Sequence, residues 1–97
     1  MVSIQEKIMG EYKFYEILML ATSRENIYNK SAEIESKKSI VEDVKNMNFS
    51  QEITFLLYPL ENLLDYIILI KREQQLDTIA AVNEIVERVS ERKNPGH

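Results

Sequence analysis

From Leu60 to Lys93 the chain runs LENLLDYIILIKREQQLDTIAAVNEIVERVSERK, without a glycine or a proline. The two strongest helix breakers are missing, so no residue in the run instructs the backbone to leave the helical region. At about 1.5 Å of rise per residue, one helix over this run would be on the order of 50 Å long. A compact domain of this size has a radius of gyration of only about 13 Å. The run must therefore bend, overhang its own core, or pack against another chain.

The apolar residues of the run sharpen that choice. Leu60, Leu63, Leu64, Ile67 and Ile70 form one stripe, and Ile79, Val82, Val86 and Val89 form another. At about 100° per residue the two stripes lie roughly a quarter turn apart. Lys71-Arg72-Glu73-Gln74-Gln75 between them is wholly polar. The pattern predicts a helix over 60–92 whose front half belongs to the core and which bends or leaves that core at 71–75. Its second stripe, Ile79, Val82, Val86 and Val89, is then the candidate partner-binding surface.

Three further helices are expected. Ser3 with Glu6 fits a capping box, and Ile4, Ile8, Tyr12, Tyr15 and Leu18 recur at helical spacing, giving a helix over 4–22. Phe14, Ile17 and Leu20 add a second apolar side, and a helix apolar on more than one side is expected to be largely buried. Gly10 inside it costs roughly 1 kcal/mol relative to alanine and marks a candidate close helix–helix contact. Ser23 is a candidate cap for a helix over 24–46, with Ile27, Ile34 and Val41 inward and Glu33, Glu35, Lys37, Lys38, Glu42 and Lys45 on a solvated face. Ser36 to Ser39 is its weak spot. Ser50 opens a short apolar helix over 51–58, and Pro59 disfavours the helical region for Tyr58, which predicts a sharp corner. Strand signals are poor throughout. The expected fold is all-α: a single domain over 1–93, a small bundle of about four helices with a long C-terminal helix, and a disordered tail over 94–97.

Composition then removes function classes. Of 97 residues, 44% are hydrophobic and 29% charged, which argues against wholesale disorder. The net charge of -4, with both signs interspersed, is far from a basic nucleic-acid footprint, so nucleic acid is not expected as a partner. No cysteine is present, which excludes disulfides, thiolate metal sites and a cysteine nucleophile. The N-terminal residues lack the pattern of a secretory signal, and Leu63 to Ile70 is far shorter than the roughly 20 apolar residues of a membrane span. A cytoplasmic protein that meets no membrane is expected. The only histidine is His97, in a Pro-Gly tail, and no phosphate-binding glycine loop or nucleophile elbow occurs.

Paired carboxylates are the remaining catalytic material. Glu61 with Asp65, and Glu73 with Asp77, are each spaced to share a helical face. Di-metal sites on helices normally add Glu-x-x-His motifs, and none is present, so solvated carboxylates are expected. Asp65 interrupts an apolar run and is expected at a helix edge or paired with a buried tyrosine hydroxyl. No enzyme activity, cofactor or metal is expected.

The order of features resembles a group of small uncharacterised helical proteins encoded on mobile elements of gut Firmicutes, a domain of unknown function. In that pattern a first helix leads into Glu-x-Ile, here Glu25-Asn26-Ile27, and then into an acidic stretch, here Val41-Glu42-Asp43-Val44. A serine-capped short helix follows, here Ser50 to Leu57, and a Pro-Leu pair, here Pro59-Leu60, opens a long terminal helix containing Asp77-Thr78-Ile79 and Glu84-Ile85-Val86. Two positions depart from it: Ser23-Arg24 replaces prolines, and Lys71 to Gln75 replaces an aromatic and acidic segment. The resemblance implies no activity. It implies a mobile-element setting, in which small regulators and inhibitors of host defence are expected.

These readings converge on a non-catalytic protein–protein interaction module, a small regulator or inhibitor that binds a larger protein or self-associates through its C-terminal helix. A bacteriocin-immunity-like bundle and an anti-defence inhibitor resembling anti-CRISPR proteins are the alternatives.

Overall fold

The regular structure of the described residues follows from a few capping residues and two left-handed positions, Asn62 and Gln75. The computed structural model describes residues 3–22 and 24–93. All regular structure there is helical: α1 (Ile4–Leu20), α2 (Arg24–Asn29), α3 (Ser31–Lys45), α4 (Gln51–Leu57), α5 (Leu63–Gln74) and α6 (Thr78–Lys93). The Ser3 hydroxyl accepts the Glu6 N–H at 3.1 Å and starts α1, and the Ser50 hydroxyl accepts the Ile53 N–H at 3.2 Å and starts α4. The expected cap Ser23 and the tail 94–97 with His97 lie outside the described residues.

Six helices replace the expected four because two long segments divide. The segment expected as one helix over 24–46 breaks at Lys30, whose backbone sits at φ -103, ψ 12. Asn29 and Ser31 flank that residue, and short polar side chains compete with helical hydrogen bonding. Ser36 to Ser39, the expected weak spot, runs unbroken inside α3.

The expected helix over 60–92 also divides. Tyr58 keeps helical angles despite the proline after it, with its N–H on the Thr54 carbonyl at 2.9 Å, and the chain turns before α5 begins at Leu63. The decisive break is Gln75, which is left-handed at φ 52, ψ 47. The Leu76 N–H then reaches back to the Lys71 carbonyl at 3.1 Å, closing the last turn in the manner usually assigned to glycine. The Asp77 carboxylate accepts the Ala80 N–H at 2.8 Å and starts α6. α5 and α6 pack on each other as a helical hairpin. The overhang that the run seemed to require is removed by folding it in two.

α5 is the centre of the molecule. It packs against α1, α3 and α6, and five of its residues (Leu63, Leu64, Ile67, Ile68 and Ile70) are buried. α1 contributes Ile4 and Ile8, α3 contributes Ile40, Val41 and Val44, α4 contributes Leu57, and α6 contributes Ala81, Val82 and Ile85. Thr78, 2% exposed at the start of α6, donates to the Asp43 carboxylate at 2.6 Å and accepts from Lys71 Nζ at 3.2 Å, tying α3, α5 and α6 together. The molecule is nevertheless elongated, 49 × 30 × 24 Å with a radius of gyration of 14.4 Å. In α1 only the first two turns contribute buried residues.

Candidate functional site

α1 is apolar on two sides and has one core to bury them in. Ile4 and Ile8 are fully buried, and Tyr12 packs against the core at its edge. On the other side Phe14 is 64% exposed and Leu20 81%, with Ile17 and Leu18 about half exposed. Gly10 and Ala21 are exposed too. At about 100° per residue, Gly10, Phe14, Ile17 and Ala21 fall within roughly 60° of arc, on the side away from Ile4 and Ile8. Beyond the turn, Tyr28 on α2 is 80% exposed. The expectation that an all-round apolar α1 would be largely buried is therefore corrected: among the described residues no second surface covers the outer face. Gly10 was expected to mark a close helix–helix contact, but a Cβ placed there meets nothing within 4 Å.

The outer face is held rigidly from beneath. Tyr15 lies on the inner side of α1, and Lys37 Nζ sits 3.5 Å from its ring centroid. The same ammonium is 3.0 Å from Asp65 Oδ1 on α5 and 3.5 Å from Glu33 Oε1 on α3. Lys37 is only 5% exposed, so the residue expected on a solvated face is a buried cation joining three helices. Asp65 correspondingly pairs with an ammonium rather than with a tyrosine hydroxyl. The Tyr15 hydroxyl is buried beside Glu33, and burial first, then the Glu33 carboxylate, raises its pKa above the usual tyrosine value.

Glu11 provides a second anchor. Asn62, the residue before α5, is left-handed and makes no side-chain capping bond. Instead the Glu11 carboxylate on α1 accepts the Leu63 N–H at 3.1 Å and the Leu64 N–H at 2.7 Å. A negative group on the first free amides of a helix satisfies both the orphan donors and the helix dipole. The cap comes from a position far away in sequence, where local reading does not look for it.

The sequence-predicted stripe lies elsewhere. Val82 is 2% exposed, and Val86 and Val89 are partly buried against the same core, covered by the chain's own packing. α6 packs against α4, α5 and α3. Ile79 alone of the four is exposed. Of the residues expected to meet an external partner, Val82 is thus buried in the core, and Val86 and Val89 are partly buried against it. The break at Gln75 rotates the second half of the run onto the first.

The carboxylate pairs are not assembled as spaced. Glu61 precedes α5, whereas Asp65 is inside it and engaged by Lys37. Glu73 closes α5 while Asp77 caps α6 across the break. Among the described residues no group of three or more His, Cys, Asp or Glu side chains is placed to hold a metal ion. No helix among them is long and apolar enough to cross a membrane. No family model, curated protein or solved structure matches this chain.

Proposed function

We propose that this chain is a non-catalytic protein–protein interaction module, a small regulator or inhibitor that acts by binding a larger protein. The observation that carries the reading is the outer face of α1, where Phe14, Ile17, Leu18 and Leu20 stand in solvent on a helix whose inner face is anchored. Exposed apolar residues scattered singly need no explanation, but several on one face mark interaction sites. At about half exposure or more each, they present on the order of several hundred Å² of apolar surface. The contact surface is thus proposed on α1 rather than on α6. The mobile-element setting implied by the sequence resemblance makes a host protein the expected target.

The test is capture from a lysate of the source organism with three baits: the unaltered chain, Phe14→Asp/Ile17→Asp, and Ile79→Asp. A protein held by the first and third baits but lost from the second, and then reconstituted with the purified chain, supports the reading. Retention by the second bait, or loss from the third, moves the surface off α1 and overturns it.

A further inference from the structure

The centre line of the outer face of α1 reads the same from both ends. Gly10, Phe14, Ile17 and Ala21 are separated by four, three and four residues, in the size order small, large, large, small. A two-fold interface requires this property, because residue i of one copy meets residue j of the other and j meets i. From this geometry we infer that the occupant of the face is a second copy of the chain, packed antiparallel, α1 on α1, about an axis that passes between Tyr15 and Glu16. This deepens the interaction reading above and rests on the same exposed face.

In that arrangement Phe14 of one copy lies against Ile17 of the other, twice over. Gly10 lies opposite Ala21 at each end, where the absence of large side chains lets the two backbones approach. The structure carries the prerequisites. Phe14 and Ile17 are both more than half exposed, and the space outside Gly10 is open. The glycine also gains a reason. An exposed mid-helix glycine with nothing near it costs helix stability and returns nothing to the isolated chain. A partner backbone at that point explains why a side chain would be unwelcome. The area also sets the strength. The apolar patch falls short of the roughly 800 Å² per partner of a standard interface, so the pair is expected to be reversible, with a dissociation constant in the micromolar range.

Sedimentation equilibrium at loading concentrations from about 1 µM to 1 mM tests this. The unaltered chain should show a monomer–dimer equilibrium. Phe14→Asp and Gly10→Leu should each weaken it at least about tenfold while the monomer keeps its helical content and cooperative unfolding, since both positions are exposed. Orientation is read by cysteine pairing, which is clean because the sequence contains no cysteine. A mixture of Gly10→Cys and Ala21→Cys chains should give a cross-linked mixed dimer, and neither variant alone should cross-link. A strictly monomeric parent, or an undiminished dimer in Gly10→Leu, overturns the proposal. So does cross-linking of each cysteine variant with itself, which indicates a parallel pair. If the parent is monomeric while Phe14→Asp/Ile17→Asp still loses a captured host protein, self-pairing fails and the interaction reading stands.

Discussion

α1 and α6 are helices of similar length at opposite ends of the chain, and they treat their apolar residues in opposite ways. α6 is amphipathic: Ala81, Val82 and Ile85 go into the core, while Asn83, Glu87 and Glu91 face water. α1 buries Ile4 and Ile8 and leaves Phe14, Ile17, Leu18 and Leu20 in solvent. The difference is one of neighbours. α6 can lie against α5 because a hairpin turn returns it there, and α4 and α3 close over it. α1 packs on α3 and α5, and Phe14, Ile17 and Leu20 stay exposed. An apolar stripe therefore reports a partner only after the chain's own packing has been subtracted, and that subtraction reverses which end of this molecule is available.

Truncating one residue in each region should separate them most widely. Ile85→Ala removes a fully buried side chain and should cost about 3 kcal/mol in urea denaturation, whereas Phe14→Ala should stay within about 0.5 kcal/mol of the parent. Equal losses would mean that the outer face of α1 is not free. Next in size is Glu11→Ala, which strips the cap from the Leu63 and Leu64 amides and should cost about 1–2 kcal/mol. A smaller, opposite effect is expected from Gln75→Gly at the hairpin break. Glycine relieves the left-handed conformation, and thermal unfolding should report a gain of up to about 1 kcal/mol. Loss of stability there would show that the glutamine side chain holds the turn.

The smallest effect is titrimetric. The folded-state pKa of Tyr15 is raised by burial and by Glu33 beside it. In the unfolded chain the hydroxyl ionises at its ordinary value near 10, while in the folded chain it ionises only at higher pH. Its contribution is fully present below pH 10 and is lost as pH rises through the folded value. Tyr15→Phe should keep the ring over Lys37, leave neutral-pH stability unchanged or slightly higher, and flatten the alkaline fall relative to the parent. Tyr12 shares the shift, because burial and then Glu16 raise its pKa as well, so the flattening should be partial.

Much of the helical character was legible in single residues. Ser3 and Ser50 do what serines do before apolar runs, and Leu63, Leu64, Ile67 and Ile70 occupy the core that their spacing suggests. A departure from one straight helix at 71–75 was legible in the polar run and the offset stripes, but its form was not, because a left-handed cap is normally announced by glycine or asparagine and here Gln75 takes it. One signal was present: Asp77 stands immediately before a new apolar period and caps it. Reading that aspartate as half of a surface pair with Glu73 concealed the start of α6. Lys37 and Glu11 were illegible for another reason. Their partners, Asp65, Leu63 and Leu64, are brought to them only by the tertiary fold. The candidate surface had been described residue by residue, Phe14, Ile17 and Leu20 on a second side of α1, but whether anything covers that side depends on helix placement.

The cap that Glu11 places on α5 turns two backbone amides into a clock for the other end of the molecule. The Leu63 and Leu64 amides are first-turn donors, so nothing inside α5 itself shields them from exchange with solvent hydrogen. Their protection lasts as long as α1 stays docked. Deuterium uptake at these two positions, followed residue by residue, therefore times the undocking of the N-terminal helix without any label on that helix. If copies associate through its outer face, the same two amides should slow as protein concentration rises, while the exchange of α6 stays where it was.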